Sequence, residues 1–159
     1  MRTCRLMALV GLVLAFLPAL VTGEDEKAKP VTVELKDFTF KTTMADLFGH
    51  NTGEDKLFFY TSGTGEAKVK VPKGGDYEIV IKASGDKAMK EGAKFKVAID
   101  GKQVGKETET TDEQKEYTFP AKLKAGEQKL SIEFTNDVFK EGEYDRNLYV
   151  HEVSVKPKK

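Results

Sequence analysis

The sequence predicts an all-β chain folded as a β-sandwich of two antiparallel sheets. Apolar residues recur at every second position through many short runs, the period of half-buried strands. Turn signals built on glycine separate those runs at short intervals. The many strands leave little length for helix, and such a pattern packs as a sandwich.

Taken in order, the chain opens MRTCRLMALVGLVLAFLPALVTG. Arg2 and Arg5 precede an apolar run, and Val21, Thr22 and Gly23 follow it. A basic start, an apolar middle and a small-residue end make residues 1–23 a secretory signal peptide. The alternative, a membrane anchor, wants roughly 20 apolar residues, and the run from Leu6 to Val21 is shorter and contains Pro18. Residues 24–30, EDEKAKP, are charged and end in proline, which reads as a disordered leader.

Strands are expected at 31–36, 57–60, 67–71, 76–84, 94–99, 102–106, 115–120, 128–135 and 147–156. In DYEIVIKAS the residues Tyr77, Ile79, Ile81 and Ala83 share one face. Phe95, Val97 and Ile99 do so in KFKVAID, and Leu130, Ile132 and Phe134 in KLSIEFT. Asp100-Gly101 fits a two-residue hairpin turn that needs positive φ, while Gly74-Gly75 and Ala125-Gly126 mark other connections. Residues 37–56 carry no clear period; Phe38, Phe40, Leu47 and Phe48 suggest that the segment packs, with room for one helical turn. The module therefore spans 31–156, with a basic tail at 157–159.

Composition narrows the chemistry. The chain holds 26 basic and 26 acidic residues; removal of Arg2 and Arg5 with the signal leaves a net charge of about −2, with no basic cluster. Nucleic acid needs a concentrated positive surface, so it is not the expected partner. The only cysteine, Cys4, lies in the signal, which excludes disulfides, thiol nucleophiles and thiolate zinc sites from the mature chain. The two histidines, His50 and His151, stand far apart, and no Gly-x-Ser-x-Gly elbow, His-Glu-x-x-His pair or phosphate-cradling loop occurs. An enzyme is not expected. His151 shares its parity with Tyr149, Val153 and Val155 and reads as a buried or edge histidine satisfied by backbone; His50, beside Gly49 and Asn51, reads as exposed.

One connection stands apart. FTNDVFKEGEYDRNLYVHEVSV, residues 134–155, places Asn136, Asp137, Glu141, Glu143, Asp145 and Asn147 between two apolar runs. Three readings compete: a solvated tip, a pair of catalytic carboxylates, and a seat for a hard cation, which takes six to eight oxygens from carboxylates, amides and carbonyls. An EF-hand is excluded, because counting from Asp137 puts Phe139 third and Leu148 twelfth, where oxygen ligands are required.

GGDYEIVIKASGD, KVAIDGKQVGKETE and FTND followed by DRNLYV resemble the calcium-dependent, xylan-binding family of carbohydrate-binding modules. The resemblance covers about residues 57–155. It implies a jelly-roll β-sandwich with calcium held in a loop at its edge, where two adjacent sugar hydroxyls complete the coordination. Carried over by position, Asp137 and Asp145 are the carboxylate ligands, with the Arg146 carbonyl and Asn147 as further metal ligands; the alternative for Arg146 is to pair with an acid and set the loop's shape. Asn136, Asp137, Asp145 and Arg146 are the implied sugar-binding residues, and Leu148 and Val150 are implied to be core. The related second, structural calcium is not matched, since Lys36 stands among the acids of the first strand and His151 on the last.

The sequence therefore leads to a secreted or periplasmic, non-catalytic module. It is expected to bind xylan-like polysaccharide through calcium, away from membrane once the signal is cleaved, and in company with a carbohydrate-active enzyme. The alternative is an extracellular interaction or structural domain on the same scaffold without sugar binding.

Overall fold

The computed structural model describes residues 29–41 and 44–158; the expected signal peptide and most of the leader lie outside the described residues. Two antiparallel sheets form, as the alternating pattern requires. The first has the order β3 (Phe48–Asn51), β4 (Lys56–Phe59), β13 (Leu148–Pro157), β6 (Gly75–Gly85), β9 (Lys115–Leu123), with β1 (Val31–Thr32) also on β13. The second has the order β2 (Thr39–Phe40), β5 (Gly63–Val71), β10 (Gly126–Phe134), β7 (Lys94–Ile99), β8 (Lys102–Glu109). A small ribbon pairs β11 (Phe139–Lys140) with β12 (Tyr144–Asp145).

The faces are those that alternation specifies. Tyr77, Ile79, Ile81 and Ala83 meet Phe95, Val97, Ile99, Leu130, Ile132 and Phe134 in one buried core between the sheets. Lysines and glutamates take the outward positions of β5 and β10, where Lys68 pairs with Glu127 and Lys129 with Glu66. Asp100 and Gly101 both have positive φ, 48° and 77°, as the tight turn between β7 and β8 demands.

The unreadable segment packs through its aromatic rings. A 3-10 turn at Leu35–Asp37 and another at Ala45–Leu47 flank β2, and Phe40, Phe48 and Phe59 form a ring cluster with centroids 5.4–6.1 Å apart. The expected first strand is shorter than 31–36. Val33 and Leu35 still point inward, but ladder pairing with β13 covers only Val31 and Thr32. At the other end β13 continues to Pro157, and the Lys158 N–H donates to the Asp76 carbonyl at 2.9 Å.

A bulge on β13 settles a conflict of parity. Leu148 and Val150 are fully buried, and so are Val153 and Val155, although the two pairs differ in parity. The register slips between Val150 and Glu152, and the extra residue returns the apolar side chains to the core. His151 sits at that slip. Its Nε2 meets Ser84 Oγ at 2.9 Å, a side-chain partner in place of the expected backbone one. His50 is only 17% exposed and contacts Asp55 at 2.8 Å, because β3 places it opposite Leu57.

Candidate functional site

Three connections meet at one end of the sandwich. β4 leaves the sheet through Tyr60, Thr61 and Ser62; β10 leaves through residues 135–138; the ribbon β11–β12 leads back to β13. The ribbon pairs Phe139 with Asp145, and the Arg146 N–H donates to the Val138 carbonyl at 3.1 Å, so the acidic loop closes on itself. Between these segments lies a cleft of about 490 Å³ lined by Leu47, Tyr60, Thr61, Asp137, Phe139 and Asp145. That is the size of a small-ligand site.

Both aspartates singled out in the sequence line this cleft, and among the described residues no cationic side chain does. Asp137 is held at two points. Its N–H donates to Ser62 Oγ at 3.1 Å, and its Oδ2 accepts from Thr61 Oγ1 at 2.9 Å. Its Oδ1 is buried without a hydrogen-bond partner. Asp145 is exposed on the facing ribbon. Glu141 and Glu143 are exposed and outside the lining; Glu143 pairs with Lys140.

The other three predicted residues lie outside the cleft's lining. Asn136 Oδ1 accepts from the Lys94 N–H at 2.6 Å, and its Nδ2 donates to the Gly92 carbonyl at 3.1 Å. Arg146 is 5% exposed and donates to the carbonyls of Glu91, Asn136 and Ala88. Asn147 is 6% exposed; its Nδ2 donates to Asp86 Oδ2 at 3.0 Å, which also accepts from Tyr149 OH at 2.9 Å. Burial, with the neighbouring Asp86 carboxylate, raises the Tyr149 phenol above its ordinary range. The two side chains of Asn136 and Arg146 thus tie the loop after β6 to the loop after β10.

Sequence reasoning did not find Tyr60, Thr61, Ser62, Phe139 or Asp86. Only Phe139 left a signal: an apolar ring within an otherwise polar loop, 65% exposed.

The donor set suits a hard cation. No group of three or more His, Cys, Asp or Glu side chains that could hold a metal occurs among the described residues. A cation at the cleft would therefore draw on Asp137, Asp145, hydroxyl and carbonyl oxygens, and oxygens of a ligand. A carboxylate oxygen buried without a donor costs more than about 1–3 kcal/mol, and a divalent ion offsets that cost.

A second chemistry is less well supported. His151 Nε2 and Ser84 Oγ stand at the separation of a base and a nucleophile, but Ser84 is 7% exposed and faces Tyr149 within the β6–β13 ladder. Burial, then the charges of Lys56 and Lys82, hold the imidazole below its usual pKa.

The family described as Ca-dependent carbohydrate-binding module, xylan-binding, matches residues 78–159, just over half of the chain. No curated protein sequence matches. Among solved structures, the chain is similar to the CBM36-1 domain of a multidomain xylanase from the hindgut metagenome of Trinervitermes trinervoides. The TM-score is 0.61 at 12% identity, over 82% of this chain and 99% of that one. A family 35 carbohydrate-binding module from Clostridium thermocellum superposes with TM-score 0.56 at 16% identity, over 82% and 100%. A CBM36 module in complex with calcium and xylotriose gives 0.53 at 15% identity, over 80% and 98%. At these identities the superpositions establish the sandwich fold.

Proposed function

The chain belongs to the Ca-dependent, xylan-binding family of carbohydrate-binding modules, and on that premise we propose that it binds xylan-like polysaccharide through calcium and catalyses nothing. The observation that carries the reading is Asp137 Oδ1, a buried carboxylate oxygen without a donor at a cleft lined, among the described residues, by a second aspartate and no cation. Calcium would supply open coordination positions that a rigid vicinal diol can fill with two oxygens. Asp137 and Asp145 hold the ion, and the Arg146 carbonyl lies next to Asp145 in the chain. The side chains of Asn136 and Arg146 fix the loops that carry the two aspartates. Tyr60 and Phe139, exposed at the cleft, offer apolar faces to the C–H faces of a sugar ring.

Diol geometry then selects the sugar, which explains how a chain without tryptophan recognises a glycan. The signal-like start of the sequence supports export, to the periplasm or outside the cell, where polysaccharide and calcium are both met. A carbohydrate-active enzyme acting on the same glycan is the corresponding partner.

The test is retention on immobilised xylan with calcium, with chelator, and after calcium is restored. Binding should follow the metal through all three conditions. Equal retention in chelator overturns the calcium bridge, and no retention on any glycan leaves an interaction domain on the same scaffold.

A further inference from the structure

Beside the cleft, the exterior of the first sheet carries an aromatic row that the core does not require. On β4, Leu57 and Phe59 are fully buried, so Phe58 projects from the opposite face, and Tyr60, just past the strand's end, lies beside it and is exposed. Tyr149 lies directly across from Phe58 on β13, between the fully buried Leu148 and Val150. The rings form one surface. Phe58 and Tyr60 have centroids 4.7 Å apart at 32°, and Tyr60 and Tyr149 are 6.4 Å apart at 79°.

The neighbours keep these rings in place. Gly49 faces Phe58 across the β3–β4 pair, and a Cβ there would stand 2.9 Å from Phe58 Cζ. The ring rests over the β3 backbone because no side chain is present. Tyr149 is fixed by its hydrogen bond to Asp86, and Lys56 Nζ sits 4.5 Å from its ring centroid. Polar groups border the row: Lys56 and Asp86 both contact Tyr149. Apolar ring faces interleaved with donors and acceptors suit a sugar, whose C–H faces stack while its hydroxyls hydrogen-bond.

Tyr60 joins this surface to the cleft, since it lines the cleft and is 40% exposed. We propose that the glycan chain runs from the cleft over Tyr60 onto the Phe58–Tyr149 platform. The domain thus binds a run of consecutive sugars, with the metal-bound residue at one end. The proposal rests on the calcium-bridged reading of the cleft and extends it to chain length.

The full chain and its Phe58→Ala variant are titrated with xylotriose and with xylohexaose in saturating calcium. A longer chain gains in both proteins from the larger number of registers it offers. In the unsubstituted protein the hexaose-to-triose affinity ratio should exceed that of the variant by about tenfold, equivalent to about 1.4 kcal/mol. Ring-proton resonances of Phe58 and Tyr149 in the unsubstituted protein should shift with hexaose and not with triose, a measurement independent of the variant's stability. Equal ratios in both proteins, or rings blind to hexaose, overturn the platform while chelator-sensitive triose binding preserves the calcium reading. Triose binding indifferent to chelator overturns the calcium reading itself. Rings that shift with protein concentration, before any sugar is added, assign the surface to a second copy and overturn the platform.

Discussion

Arg146 Nη1 donates to the Asn136 carbonyl at 2.6 Å, joining the residue after Asp145 to the residue before Asp137. The same guanidinium donates to the Glu91 and Ala88 carbonyls, on the connection that follows β6. One buried cation therefore fixes the spacing of both candidate ligands against a third loop. Such preorganisation lowers the cost of ordering a site when its ligand arrives.

Arg146→Ala should lower stability by about 3 kcal/mol or more, because hydrogen bonds to a charged group are worth about 1.5–3 kcal/mol each. Arg146→Lys should rescue little of it, since an ammonium lacks the planar fork that reaches three carbonyls. Urea unfolding in chelator measures both. A loss for Arg146→Ala below about 1 kcal/mol would show that the carbonyls find other donors.

Ile132→Ala tests the core. Ile132 is fully buried on β10, between β5 and β7, where the ladders on both sides prevent collapse around a cavity. The expected loss is about 2–5 kcal/mol, read from denaturant midpoints at unchanged slope. A loss under about 0.5 kcal/mol would mean that the two sheets do not pack here as described.

How far the sequence could be read follows from what alternation reports. It fixes which way a side chain points, so Phe95, Val97 and Ile99 were placed correctly and β7 has the expected ends. It does not report the hydrogen-bonding neighbour. The inward Val33 and Leu35 therefore looked like strand although β13 shares that edge between β4, at residues 148–150, and β1, at residues 154–155. The site shows the same limit. Asp137 and Asp145 were legible as acids in one loop, whereas Thr61 and Ser62 are brought to Asp137 from about 75 positions away by sheet topology, which no local pattern encodes.

The Ser84–His151 contact predicts a pH dependence. The imidazole's pKa in the fold lies below its ordinary 6.5, chiefly through burial, so the unfolded chain binds the proton more readily. Stability from this group is fully present above about pH 6.5 and is lost as pH falls through the lower folded pKa. His151→Gln, which keeps a hydrogen-bonding group near Ser84, should flatten the fall in melting temperature between about pH 7 and pH 5. Parallel profiles for the two proteins would show that other groups carry the acid sensitivity.

Asp137 should reverse its sign with calcium. In chelator, Asp137→Asn should melt at or above the unsubstituted protein. The amide keeps an oxygen for Thr61 and removes a charge whose Oδ1 is buried without a donor. In calcium the order should invert. Extracellular sites bind at about 10⁻⁴–10⁻³ M, so about 10 mM is the concentration to use. At a hundredfold excess over Kd the ion adds about 2.7 kcal/mol to a protein that binds it only when folded. Asp137→Asn should lose most of that gain with its charge. Asp145→Ala should lose it too, at no cost in chelator, because Asp145 is exposed. Glu141→Ala and Glu143→Ala lie outside the cleft's lining and should keep the full shift. Thermal melts of the five proteins in both conditions decide the matter: no shift in the unsubstituted protein, or an equal shift in Asp137→Asn, leaves the acidic loop merely solvated.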